Sequence, residues 1–180
     1  MHRWLHVGLF ASAFTAGAAL TAHAKLASTG AATVEFKAVG PAGLSIVGKS
    51  DEVRVSDTAD SVTIVIPLAK LDTGIELRNK HMKEKYLEVG KFPNAKLIVT
   101  KAAIGYPAVG GGEATGQLDL HGQTKPVKFK YEAKKGGSGH AVSGSVRVDM
   151  TAFGIEKPSY MGLSVKPDVD VAVTFNVVDS

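Results

Sequence analysis

Cysteine is absent from all 180 residues, so no disulfide can support the fold and no thiolate is available as nucleophile, metal ligand or lipid attachment point. Tryptophan occurs once, at Trp4, and aromatics are few, so a core must be built chiefly from aliphatic side chains. Charge of one sign is also lacking. The formal net charge is +4, and lysines and acids alternate along the chain instead of clustering. That pattern belongs to a solvated outer face and excludes the basic stripe of a nucleic-acid binder, and bulk membrane with it.

A long apolar run occurs only at the start. His2 and Arg3 precede an apolar stretch from Trp4 through Leu20, rich in small residues, and Ala22-His23-Ala24 is an A-x-A cleavage site. The run is shorter and less apolar than a spanning helix requires. A secretory signal cleaved after Ala24 is the expectation, leaving residues 25–180 as one domain in the periplasm. The signal holds Arg3 and no acid, so the mature charge is one lower than the full chain's.

Catalytic motifs are equally scarce. Beyond the signal there are three histidines, His81, His121 and His140, and no two have the spacing of a helical zinc site or a His-x-His strand. No metal or cofactor is expected. There is no Gly-x-Ser-x-Gly elbow, and Gly144-Ser145-Val146 lies in a strand-like run without the strand-to-helix context. Asp72 opens a turn, while Asp119 and Asp149 sit at polar positions beside apolar neighbours, so no carboxylate pair for acid/base work is indicated. Gly110-Gly111-Gly112 precedes no helix and reads as a flexible hairpin, not a phosphate cradle.

What is abundant is alternation of period two. Val34, Phe36 and Ala38 alternate with Thr33, Glu35 and Lys37. Similar runs lie at Val53–Val55, Leu118–Leu120, Val127–Tyr131, Val146–Val148 and Val169–Val177. Ser61–Ile66 and Leu97–Thr100 are apolar on both faces and suit strands covered on the outside. With glycine-rich turns between them, these runs predict an all-β antiparallel sandwich or barrel of about eight strands, an eight-stranded barrel first, with one amphipathic helix inserted between strands. The helix is expected over Arg78–Glu88, with Met82, Tyr86 and Leu87 inward and Lys80, Lys83, Glu84 and Lys85 outward.

Three segments carry a family resemblance: TGIELRNKHMKEKYLEVGKFP, GQLDLHGQTKPVKFKYEA and MTAFGIEKPS. They resemble the signature regions of the YceI-like family. The matched positions are Arg78, His81, Phe92 and Pro93, then His121, Gly122, Thr124, Lys125 and Pro126, then Phe153 and Gly154. The chain departs from the usual pattern at Asn79, where aspartate is common, and at Tyr86-Leu87, where a phenylalanine pair is usual. The resemblance implies a lipocalin-like barrel around an elongated apolar tunnel. It also implies a non-catalytic role in the periplasm, binding or carrying a polyisoprenoid, an isoprenoid quinone or a similar amphiphilic lipid.

On that reading the tail contacts are Phe36, Ile64, Leu97, Val99, Leu118, Phe129, Val148 and Phe175 from strands, with Met82, Tyr86, Phe153 and Met161 at the rim. Arg78 or Lys125 would meet a polar head, and His81 is taken as a structural hydrogen-bonding residue. A homodimer and a membrane-protein partner are both compatible with the sequence. The alternative is an interaction module, a stress or redox partner of a membrane cytochrome, whose barrel is filled by its own side chains.

Overall fold

The computed structural model describes residues 26–106, 109–137, 139–160 and 162–179. The expected signal, Met161 and the tip of the turn at Ser138 lie outside them.

Among the described residues eleven strands are formed: β1 Leu26–Val39, β2 Ser45–Ser50, β3 Arg54–Asp57, β4 Ser61–Pro67, β5 Asn94–Thr100, β6 Gly110–Leu120, β7 Gln123–Gly136, β8 Gly139–Asp149, β9 Ser159–Tyr160, β10 Leu163–Ser164 and β11 Asp168–Asp179. Nine of them make one antiparallel sheet in the order β2-β1-β11-β8-β7-β6-β5-β4-β3, and β9 and β10 form a separate small hairpin. The sheet curls on itself, so that β1 runs beside β3. The expected barrel is therefore present with nine strands instead of eight. The additional strand is β2, SIVGKS, whose alternation is interrupted by Gly48. That glycine is required by its neighbour: the ring of Phe36, its partner on β1, occupies the place where a Cβ at position 48 would stand.

Alternation sets which face is buried. On β11 the valines at 169, 171, 173 and 177, with Phe175, point inward, and Asp168, Asp170, Thr174 and Asn176 take the other face. Between Thr29 and Thr33 β1 carries two residues more than its partner does between Thr174 and Asn176. Two extra residues preserve the period-two phase, so Leu26 and Val34 both remain buried. Ile98 faces outward and is exposed, so β5 is not covered as its apolar run suggested. Gly110–Gly112, expected to be a loose hairpin, instead begins β6 in register with Ala133, Glu132 and Tyr131 of β7.

The sheet edges β2 and β3 do not pair with each other, and each is blunted. Lys49 exchanges two backbone hydrogen bonds with Asp72, which covers the β2 edge with the segment leading to the helix. β3 is only four residues long.

The insert between β4 and β5 begins as α1, Glu76–His81, and continues through Met82–Tyr86 as a π-helical turn. It thus starts earlier and ends sooner than the expected Arg78–Glu88. The Leu87 N–H donates to Met82 O at 2.8 Å, the wider bond of a π turn. The entry to α1 is fixed by side chains: Asn79 Oδ1 accepts from the Thr73 N–H at 2.8 Å and its hydroxyl at 2.7 Å. Asn79 Nδ2 donates to Asp72 Oδ1 at 2.6 Å, and the Gly74 N–H donates to the same oxygen at 2.8 Å. These bonds, Asn79 first, hold the Asp72 carboxyl below the usual aspartate range.

Candidate ligand cavity

The inward faces of the strands enclose a cavity of about 830 Å³. Five alternate positions of β11, from Val169 to Val177, line it without a break. At about 3.3 Å per residue they span roughly 26 Å. The cavity is therefore a tunnel along the barrel and not a set of scattered voids.

Side-chain size explains why the space exists. A barrel of about eight strands is just wide enough either to be filled by side chains or to hold one small ligand. Here valine, which reaches one carbon beyond Cβ, is the commonest residue of the wall, and Ala133 and Gly144 reach less still. The buried residues accordingly separate into distinct clusters, one around Val34 and Phe175, another around Leu118 and Phe153.

The helix supplies one end. Arg78, His81, Met82, Lys85 and Tyr86 line the cavity at i, i+3, i+4, i+7 and i+8, one face of the insert. Lys85, expected outside, belongs to this face. Ile75, Leu77 and Leu163 line the cavity while remaining 53%, 63% and 60% exposed, which marks the opening at the helix end.

Toward the far end, outside the wall, lies a buried ion pair. Lys101 Nζ lies 2.6 Å from Asp57 Oδ2, with the Asp57 side chain 1% exposed. Asp57 Oδ1 accepts from the Leu26 N–H at 2.8 Å, tying β3 to β1 across the seam. The Lys101 ammonium also stands 5.0 Å from the centre of the Tyr106 ring.

A second clasp lies at the helix end but outside the cavity. His121 Nε2 is 3.1 Å from Glu88 Oε2, and Nδ1 is 3.3 Å from Phe153 O. Both partners are acceptors, and a neutral ring can donate to only one of them. The Phe92 ring packs on His121 with centroids 4.6 Å apart. Glu88 and His121 adopt φ of 43° and 51°, left-handed values uncommon for residues with a Cβ. Together they join the helix exit, the β6–β7 turn and the turn after β8. Lys91, hydrogen-bonded to Glu88, is the main reason the Glu88 carboxyl sits below the usual glutamate range, with a smaller contribution from His121.

Of the residues singled out from sequence, Phe36, Ile64, Met82, Tyr86, Leu97, Val99, Leu118, Phe129, Val148 and Phe175 line the cavity, as does Arg78. Phe153 does not. It is 3% exposed and packed in the core around Leu118, because the turn at Met150–Phe153 folds it beneath the clasp instead of at the rim. Lys125 is also absent from the wall, with its ammonium 5.9 Å from the Phe153 ring centre. Met161 falls outside the described residues. His121 makes the hydrogen bonds of the clasp, whereas His81 is exposed at the opening. Sequence reasoning passed over Lys85, Asp57 and Lys101. Only the i, i+3, i+7 spacing from Arg78 carried a signal for the first of these.

A curled antiparallel sheet with an apolar interior and a helix at its opening makes a barrel built around a cavity. The chain belongs to the YceI-like domain family, whose model matches residues 16–177. A UPF0312 protein of Yersinia enterocolitica is 36% identical over 154 residues, covering 78% of this chain and 76% of its own. Two solved structures share the fold. One is a polyisoprenoid binding domain from Saccharophagus degradans implicated in plant cell wall breakdown, with TM-score 0.69 and 19% identity over 87% of this chain and 98% of that one. The other is Burkholderia cenocepacia BcnA, with TM-score 0.63 and 14% identity over 81% and 95% respectively.

Proposed function

We propose that this protein is a non-catalytic carrier of a long-chain amphiphile, a polyisoprenoid or isoprenoid quinone by analogy with the polyisoprenoid binding domain that shares its fold. It would act in the periplasm after loss of residues 1–24. The observation that carries the reading is the continuous apolar tunnel of about 830 Å³, open at the helix end. Affinity would come from withdrawing the tail from water, at about 25 cal/mol per Å² of apolar surface. The alternative of an interaction module required an interior filled by its own side chains, and this interior is not filled.

The test is a thermal melt of delipidated protein with an added isoprenoid. Ligand at a hundred times its Kd adds about 2.7 kcal/mol to the folded state. For a domain of this size that raises Tm by roughly 5 to 11 °C. No shift with any isoprenoid or long-chain lipid removes the carrier reading.

A further inference from the structure

Apolar side chains left in water gather at the opening of the tunnel. Among the described residues the exposed large apolar side chains are Leu44, Ile75, Leu77, Ile98, Val109 and Leu163. Ile98 and Val109 line no part of the cavity, whereas Ile75 and Leu77 from the insert and Leu163 from the β9–β10 hairpin line its opening. Leu44, 60% exposed, adjoins the same rim: its N–H donates to the O of Pro41, a lining residue, at 3.0 Å. The Lys166 N–H, just past the hairpin, donates at 2.8 Å to Val39 O at the base of the turn that carries Pro41 and Leu44. Single apolar side chains on a surface are ordinary, but several gathered round one opening mark a contact surface.

Charge at this opening has one sign. The basic side chains of the wall are Arg78, His81 and Lys85, and no aspartate or glutamate is among the lining residues. Lys80, three residues from Leu77 and so on the same side of the helix, is exposed as well. The acids of this segment, Asp72, Glu76 and Glu84, are exposed but stay outside the wall. Charges that alternate in sign along the strands keep the sides of the barrel from a membrane, and the opening departs from that pattern. No helix among the described residues is long and apolar enough to cross a bilayer, and the strands turn charge outward, as Lys128 and Lys130 do on β7.

We propose that this rim docks on the surface of an anionic lipid bilayer, with Leu44, Ile75, Leu77 and Leu163 entering the acyl boundary and Lys80 and Lys85 resting among the headgroup phosphates. Interfacial binding of this kind grows with the apolar area buried and with the attraction of cations to anionic lipid. The tunnel gives the docking its use, and that part rests on the carrier reading. Rim and wall are one continuous apolar surface, so a tail passes from bilayer to tunnel without its CH₂ groups crossing water. A second copy of the chain suits the rim less well. A two-fold contact across it would set Arg78, Lys80 and Lys85 against their own equivalents, where like charges repel.

The experiment sediments delipidated protein with vesicles of phosphatidylglycerol and phosphatidylcholine in equal parts, and with vesicles of phosphatidylcholine alone. The native chain should partition onto the anionic vesicles about tenfold or more tighter, the worth of two lysines at a charged surface, and should lose that margin at high salt. Leu44→Ser with Leu77→Ser should weaken anionic binding about tenfold or more. Lys80→Gln should cut the anionic margin severalfold and leave zwitterionic binding unchanged. All three side chains are exposed, so the variants should melt with the native Tm. A dodecyl amphiphile titrated without vesicles reads the carrier separately, and Leu44→Ser and Lys80→Gln, outside the wall, should leave it unmoved. Native protein that stays in solution with both vesicles, equal partition onto the two, or undiminished binding by the leucine double variant overturns the docking, whether or not the amphiphile binds. Self-association that the double variant loses, with no vesicle binding, gives the rim to a second copy and overturns it likewise. Vesicle binding as expected with no amphiphile bound upholds the docking and removes the carrier.

Discussion

Gly144 offers a way to block the tunnel without disturbing the wall. It lies on β8 opposite Val173 of β11, midway along the lined stretch, and it faces the cavity. A Cβ placed there meets Lys130 O and Val173 Cγ2 at 3.5 Å, ordinary contact distance, and its backbone is not in the left-handed region. Gly144→Phe should therefore fold, and the loss of a strand glycine favours the sheet. The new ring would cut the tunnel to about half its roughly 26 Å length, which corresponds to about four residues of strand. Each CH₂ kept out of the cavity costs about 0.8 kcal/mol. Excluding as few as about five of them costs about 4 kcal/mol, close to a thousandfold in Kd. The assay is calorimetric titration with a series of alkyl amphiphiles of one head and increasing tail length. Affinity should climb with length in the native chain and level off at about half that length in Gly144→Phe. A folded Gly144→Phe protein with the native dependence on tail length would refute the tunnel as the tail's location.

Three further outcomes follow from the same structure. Met82→Glu with Tyr86→Glu places two charges on the inward helix face and should abolish lipid retention, as measured by lipid recovered from the purified protein; undiminished retention in a folded double variant removes the helix from the site. Lys101→Met strips the buried Asp57 carboxylate of its ammonium and should cost about 3 to 5 kcal/mol in a urea titration, whereas a loss below about 1 kcal/mol would show that the pair does not hold the seam. The Glu88 carboxyl lies below its usual range, so its contribution is fully present above about pH 4.5 and is lost as pH falls through the lower folded value. Tm should stay level from about pH 7 to 5 and fall in stronger acid, with a shallower acid fall in Glu88→Gln; identical acid profiles would exclude Glu88 from the linkage.

Strands built on strict alternation were legible because burial on one face of a sheet writes itself into every second residue. β11 and β1 are the clearest, and even the irregularity in β1 kept its phase. β2 was not legible, because its middle position is a glycine demanded by the ring of Phe36 on another strand, and a single sequence does not state that pairing. Covering of β4 and β5 was inferred from apolar runs such as Leu97-Ile98-Val99, where hydropathy cannot distinguish a covered face from an exposed isoleucine. The helix was found from its period, but Lys85 was set outside for its charge although it stands at i+7 from Arg78, on the face that lines the cavity. Phe153 and Lys125 were assigned to the site from motif position, whereas three-dimensional folding puts the first beneath the His121 clasp and the second outside the wall. The ion pair of Asp57 and Lys101 joins residues 44 apart in sequence and had no local signature.

The central claim is that the barrel holds a lipid tail. It is tested most directly by extracting the protein, purified from its own cell without detergent, into organic solvent and identifying what is released by mass spectrometry. The account predicts one class of long-tailed amphiphile in near-stoichiometric amount, released from the native chain and strongly reduced in Gly144→Phe. Extracts free of any apolar molecule, together with a Tm unmoved by added isoprenoids, would contradict it.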